Sequence, residues 1–433
     1  MIRLPQQESE RCGAVSLWGK VSALFFSLLL ILSNATLYGR YEHLQEAIPI
    51  AILSLCILSI LAKLARAGIP LADLKHELIW FLSCAVVCFV VSLGSLKLPT
   101  LGHFAFLLLY SIFPLFILLH YRSGTIGKFF DYLSLIIAWL ALSSSILWFA
   151  GPFLGVLKPN CSFPDTWSNV GATSEEAAGY YGLLYQLQWS GLGSFLGYRN
   201  TSIFGEGPAF AFYLLVALLI ELFYFHQLKK WRVCSFLVAS ATSFSTTSWI
   251  IAPIMLVVYF CRKATISKRA KTLIFFISIC LLCAAASVAH ILFTSKVSTS
   301  SGAMHMDDYQ AGFEAWLTSP IIGGGIGNND AIVPFMSSFR ANNTGFSNTF
   351  LFVLATGGLL YFVLWLVPFL GYYRSGNDTR WFGFFLFLII GVSNVSYFAF
   401  AAFFLGYGIA LLALHPTKMN LRPRKNMGHM REI

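Results

Sequence analysis

The chain has 433 residues, of which 57% are apolar, 16% aromatic and only 11% charged. Soluble domains carry about a quarter of their residues as charges, so this composition excludes a soluble globular protein and leaves a polytopic membrane protein of all-α class. The formal net charge of +11 then reports which side of a membrane the cations occupy, and no nucleic-acid partner is needed to explain it.

The first twenty residues, MIRLPQQESERCGAVSLWGK, are polar and are followed by an apolar run without a small-x-small cleavage site. They predict a retained first helix. Apolar stretches of roughly 17–25 residues, enough to cross the hydrocarbon core, place about twelve helices at 18–38, 47–66, 77–94, 101–120, 131–150, 207–226, 232–244, 247–261, 272–293, 347–370, 382–396 and 398–414. With the N-terminus inside, all of the 29 Lys and Arg residues except Arg40, Lys97, Lys158, Arg199, Lys296 and Arg340 fall in cytoplasmic segments. The expected topology has both termini cytoplasmic. The chain forms one transmembrane domain over 1–433, with large exterior loops at 151–206 and 294–346.

Residues 232–261 leave and return to a basic flank within too few residues for two full spans, and the polar TSFSTTS (242–248) falls halfway. This predicts a pair of short helices meeting at a polar tip. The segment 382–414 repeats the pattern with SNVS (393–396) at its tip. Such polar groups either line a buried cavity or hydrogen-bond between helices. The cysteine pairs Cys84/Cys88 and Cys280/Cys283 lie in apolar helices and read as small buried side chains.

The first loop has no obvious secondary structure and carries Trp167, Tyr180, Tyr181, Tyr185, Trp189 and Tyr198 with Asp165, Glu175 and Glu176. Aromatic faces with polar rims suit sugar rings; Trp and Tyr also anchor at membrane interfaces. The loop ends in YRNTSIFGEGP, where Gly207 and Pro208 open a helix, with proline at its first position, whose positive end faces the exterior. Arg199 and Glu206 sit just above it, either as an interfacial ion pair or as a ligand site.

The second loop supplies His305, Asp307, Asp308, Glu314, a turn-forming GGGIGNN (323–329), Arg340, and Ser347 and Asn348 as helix caps. Each loop thus runs from a cation to a helix N-terminus. Two such cations could hold a diphosphate without a metal, because Arg grips phosphate oxygens bidentately. Nearby carboxylates or His305 could take a proton from an attacking hydroxyl. No Walker A, H-E-x-x-H or cysteine-histidine metal spacing occurs, so no metal or cofactor is expected. Helix centres hold almost no ionisable groups, since Asp131 and Glu221 lie near cytoplasmic ends, which counts against an ion-coupled transporter.

Three stretches resemble the Wzy-type polymerases of bacterial O-antigen and other surface polysaccharides, in the superfamily that includes O-antigen ligases. Arg199-Asn-Thr-Ser-Ile-Phe-Gly-Glu206-Gly-Pro208 is similar to an arginine followed by Gly-x-Phe-x-Glu-Pro at a helix start. Trp316-Leu-Thr-Ser-Pro320-Ile-Ile-Gly323-Gly-Gly325-Ile-Gly-Asn328 resembles the family's tryptophan, Ser-Pro-Ile, Gly-x-Gly stretch. Ser347-Asn348-Thr-Phe-Leu with Gly357-Gly358 resembles its Asn-containing helix start and later glycine. The chain departs from the pattern in having Gly207 between Glu206 and Pro208, no arginine in TSFSTTS, and Ser347 where ligases usually carry histidine.

The resemblance implies a GT-C-like glycosyltransferase of the bacterial inner membrane. It would move a growing glycan from undecaprenyl diphosphate to a hydroxyl of the next lipid-linked unit on the periplasmic side. It implies membrane lipid as a partner, together with the flippase and chain-length regulator of the same pathway. The implied roles place Arg199 and Arg340 on diphosphate or an acidic sugar, with Asn348, Tyr198 and Trp189 in the substrate site. Glu206 orients Arg199 or acts as base, and Asp307, Asp308 and His305 are the other candidate bases. An O-antigen ligase, passing polymer to a lipid A core, and a transporter of polysaccharide units are the alternatives. Ser347 and the similar size of the two loops favour polymerase over ligase.

Overall fold

The computed structural model describes residues 17–33, 36–67, 74–164, 176–189, 197–225, 228–262, 272, 300–340 and 344–414. The expected helix at 272–293, with Cys280 and Cys283, and loop residues Asp165, Trp167 and Glu175 lie outside these residues, save for Thr272. The described chain is a helical bundle: α1 (Leu17–Leu32), α2 (Glu42–Ala67), α3 (Lys75–Ser95), α4 (Leu101–Arg122), α5 (Ile126–Trp148), α6 (Gly207–Leu219), α7 (Lys230–Thr242), α8 (Thr246–Arg262), α9 (Ser300–Thr318), α10 (Thr349–Ser375), α11 (Asn377–Gly391) and α12 (Ala399–Leu414). α5 and α6 each continue into a π turn, Phe149–Phe153 and Ile220–Tyr224.

Six of the described helices are long and apolar enough to cross a membrane, and three more are apolar but shorter. The chain is therefore a membrane protein. Where the side chains sit agrees with that. α6 and α12 are apolar on every side and buried along their length, as expected of helices at the centre of a bundle. α2 and α3 turn Ile50, Leu58, Leu82 and Phe89 outward, a surface suited to lipid. α12 packs on α4 and α10. At Gly371 and Gly408 the approach is so close that a Cβ at Gly408 would lie 2.4 Å from the Pro368 carbonyl oxygen, the small-residue contact by which membrane helices pack.

Both short pairs appear as the sequence suggests, α7 with α8 around residues 243–245 and α11 with α12 around 392–398. Their polar tips are engaged in hydrogen bonds. Thr242 accepts from the Asn200 backbone at 3.0 Å, and Ser393 accepts from the Thr349 backbone at 2.9 Å. Each tip thus braces the start of one long helix, α6 or α10.

The loops differ from the expectation of irregular chain. In the first, β1 (Cys161–Pro164), β2 (Glu176–Tyr180) and β3 (Leu184–Tyr185) form an antiparallel sheet in the order β1-β2-β3, with Cys161 opposite Gly179 and Gly179 opposite Tyr185. Tyr38 pins the sheet to the end of α1 by donating to the Gly182 carbonyl at 2.6 Å. In the second, α9 packs on α10 through Ala311 and Ala315, which cluster with Phe346 and Phe352.

α10 is broken at Gly358, which has φ 61° and ψ −168°. The SPIIGGG turn inserts at this break. Leu359 and Leu360 donate to the carbonyls of Pro320 and Ile321 at 2.9 and 3.2 Å, and Gly324 donates to Ala355 at 3.0 Å. The restarted helix would otherwise bury unsatisfied N–H groups.

At the opposite end of the bundle, Arg232 joins Asp131 at 2.8 Å and Glu221 at 3.1 Å, while Lys229 reaches Asp131 at 2.5 Å. Ser134 also donates to Glu221, at 2.5 Å. Glu221 is 0% exposed, and a charge in that position requires such partners.

Candidate functional site

The expected site residues fall into two groups, one at each helix start. The first is built on the segment 197–207, which is held from every side. The Tyr198 carbonyl accepts from the Trp148 indole at 2.6 Å, and the Arg199 backbone donates to Gln188 at 2.8 Å. The buried Asn200 side chain donates to the Thr242 hydroxyl at 3.0 Å, and Thr201 donates to the Tyr185 carbonyl at 3.1 Å. Gln188 also accepts from the first N–H of α6, at Gly207, at 3.1 Å. A Cβ at Gly207 would lie 2.8 Å from the Ser243 carbonyl oxygen, so the tip of the short pair leaves room there for glycine alone.

Glu206 is the N-cap of α6, with extended backbone, and Pro208 follows as the second helical residue; the sequence reading put proline first. Arg199 makes no direct ion pair with Glu206 among the described residues, contrary to the interfacial-pair reading. Its Nε is buried without a hydrogen-bond partner. Burial pushes the Arg199 pKa down, and the nearby charge of Glu206 pushes it back up. A buried, unmatched guanidinium N–H costs about 1–3 kcal/mol, and an anion bound at this rigidly held cation would remove that cost. Beside it, Trp189 and Tyr198 form a backbone bridge and an edge-to-face ring pair at 5.2 Å. Trp189 remains 52% exposed.

The second group has a different electrostatic character. Arg340 is 5% exposed and donates to Asp308, to Asp307 at 3.3 Å and to the Gly345 carbonyl. Its charge is engaged inside the protein, whereas the sequence reading set it facing a ligand alongside Arg199. Asp307 also accepts from the Ser337 N–H at 3.1 Å and its hydroxyl at 2.5 Å. Asp308 accepts from the Ser347 N–H at 3.0 Å and its hydroxyl at 2.5 Å. Both carboxylates therefore fasten α9 to the chain before α10.

His305 lies one turn before Asp308 on α9 and is exposed. Its Nδ1 meets the Ser347 hydroxyl at 2.7 Å. Asn348 caps α10 as expected, accepting from Leu351 at 2.9 Å, and its amide donates to the Gly391 carbonyl at 2.8 Å. Ser347 is not a cap: it links His305 to Asp308.

The two groups are joined through the α11–α12 tip. Phe398 meets Phe212 of α6 edge-to-face at 6.5 Å, and Tyr397 packs on His103 of α4 at 5.5 Å. His103 in turn stacks on Phe352 of α10. Asn200 and Gln188 carry no local signal in the sequence, because their partners are remote in the chain, and Ser347, expected as a cap, joins His305 to Asp308 instead. The clusters they join were visible only as separate polar residues. Comparison with family models, curated proteins and solved structures finds no match to this chain.

Proposed function

We propose that this chain is a Wzy-type glycosyltransferase of the bacterial inner membrane that joins lipid-diphosphate-linked oligosaccharide units into a surface polysaccharide at the periplasmic face. The observation that carries the reading is Arg199, a rigidly held, half-buried guanidinium at the start of α6 with an unpartnered Nε. A diphosphate oxygen supplies the missing acceptor, and the positive end of α6 favours the same charge. Arg199 acts without Arg340, whose charge the aspartates already match. The nearby charge of Glu206 favours the buried guanidinium of Arg199, and the exposed Trp189 edge beside Tyr198 offers a face for the sugar next to the diphosphate.

Because lipid diphosphate is a good leaving group, the chemistry needs charge stabilisation and a base for the incoming hydroxyl. Asp307 and Asp308 are spent on Arg340 and on serine donors and the charge of Glu206 on Arg199, so His305 is assigned as the base.

The test is a gel ladder of surface polysaccharide from a deletion strain complemented with native protein or Arg199→Ala. Loss of long chains with single units still reaching the surface supports a polymerase. Polymer retained on the lipid carrier indicates a ligase, and failure of units to cross indicates a transporter. A normal ladder from Arg199→Ala at normal protein level removes Arg199 from the site.

A further inference from the structure

We propose that Ser347 is a positioning residue that fixes the tautomer of His305, so that the imidazole presents Nε2 as its basic nitrogen; the catalytic half of this inference rests on the proposed function. The protons along the chain Arg340, Asp308, Ser347, His305 can be counted. Asp308, ion-paired with Arg340, is a carboxylate and can only accept. The contact of 2.5 Å between the Ser347 hydroxyl and Asp308 needs a hydrogen between two oxygens, and serine holds the sole candidate. Ser347 Oγ has no second hydrogen. Toward His305 at 2.7 Å it can therefore only accept, and Nδ1 must carry the N–H. A neutral imidazole has one such hydrogen, so the lone pair is on Nε2.

The arrangement is stiff at both ends. The Ser347 backbone N–H also donates to Asp308 at 3.0 Å, and the next residue, Asn348, caps α10. His305 and Asp308 are three residues apart on α9, on one helix face. In solution a neutral imidazole favours the opposite tautomer, with the hydrogen on Nε2. Ser347 thus reverses the intrinsic preference.

For transfer, the acceptor hydroxyl gives its proton to Nε2 as its oxygen bonds to the anomeric carbon. The bond from that carbon to the diphosphate oxygen breaks, and the diphosphate leaves with the electron pair. The imidazolium then releases the proton to water, and the Ser347 contact to Nδ1–H persists throughout.

The experiment is nitrogen NMR of the full-length, histidine-labelled protein in lipid nanodiscs, with the His305 signals identified by their loss in His305→Gln. Native protein is expected to show a protonated Nδ1 and an Nε2 that carries no hydrogen. Ser347→Ala is expected to move the population toward Nε2–H and to slow chain elongation about tenfold, a fraction of the full effect of a general base. Ser347→Thr, which keeps the hydroxyl, is expected to restore both the native spectrum and elongation to within about twofold. A native Nε2–H tautomer, or a tautomer unchanged in Ser347→Ala, overturns the positioning role. Full elongation by His305→Gln overturns the base assignment of the proposed function, and the spectra still decide the role of Ser347 on their own.

Discussion

Gly323→Ala tests the junction that holds the second loop against the broken helix. Gly323 has φ +73°, and a Cβ there would lie 2.5 Å from the backbone nitrogens of Gly357 and Gly358 and from the Thr356 carbonyl carbon. The left-handed backbone alone costs a non-glycine residue about 1–2 kcal/mol. The clash is with main chain, so the turn must back away, and overpacking of this kind costs about 1–3 kcal/mol. Retreat also stretches the bonds from Gly324 to Ala355, Leu359 to Pro320 and Leu360 to Ile321, each worth about 0.5–1.5 kcal/mol. A total of about 3–5 kcal/mol follows if part of the hydrogen bonding survives. Gly155→Ala is the control, since Gly155 has φ +68° with nothing within 4 Å of its would-be Cβ. It carries the backbone strain without the clash. Thermal unfolding in detergent is expected to show a clearly lower midpoint for Gly323→Ala than for Gly155→Ala. Equal midpoints would refute the insertion of the turn at Gly358.

Arg340→Ala leaves Asp307 and Asp308 buried without a counter-charge and is expected to cost about 3–5 kcal/mol, read as loss of folded protein in the same thermal assay. Arg340→Lys keeps a point charge but not the fork that reaches both carboxylates, and its midpoint should fall between the two. At the other end of the bundle, Arg232→Ala leaves the fully buried Glu221 without its counter-charge and should destabilise far more than Asp131→Ala, after which Arg232 still pairs with Glu221 and the part-exposed Lys229 reaches water. Asn348→Asp keeps the cap on Leu351 but loses the donor to Gly391, whereas Asn348→Ala loses both. The alanine variant is expected to be less stable by roughly 1–2 kcal/mol, and its midpoint should fall below that of the aspartate variant.

The helices were legible because an apolar run long enough to cross a membrane has few other fates. The short pairs were legible because a polar centre in such a run must meet a partner, and Thr242 and Ser393 do. The cap at Asn348 followed from local residue chemistry. α9 escaped notice because its sequence is too polar to read as a span; the signal was Ala311 and Ala315, spaced by one helical turn, which form its buried stripe. The pairing of Arg340 with Asp307 and Asp308 joins residues more than thirty positions apart, and nothing local distinguishes a cation so matched from one awaiting a ligand. Arg199 and Arg340 looked alike in the sequence for that reason. GGGIGNN read as a turn, which it is, but that it meets the break at Gly357-Gly358 is a matter of tertiary packing.

The proposed function stands or falls with Arg199 as the diphosphate-binding cation. Binding of a polyisoprenyl diphosphate to purified protein in nanodiscs tests it directly, with native protein, Arg199→Ala and the Trp189→Ala variant compared at one ionic strength. Charge-assisted hydrogen bonds are worth about 1.5–3 kcal/mol, so Arg199→Ala is expected to weaken binding about ten- to hundredfold. Trp189→Ala, which alters only the sugar-facing edge, is expected to leave binding of the sugar-free diphosphate unchanged. Undiminished binding by Arg199→Ala would rule Arg199 out as that cation.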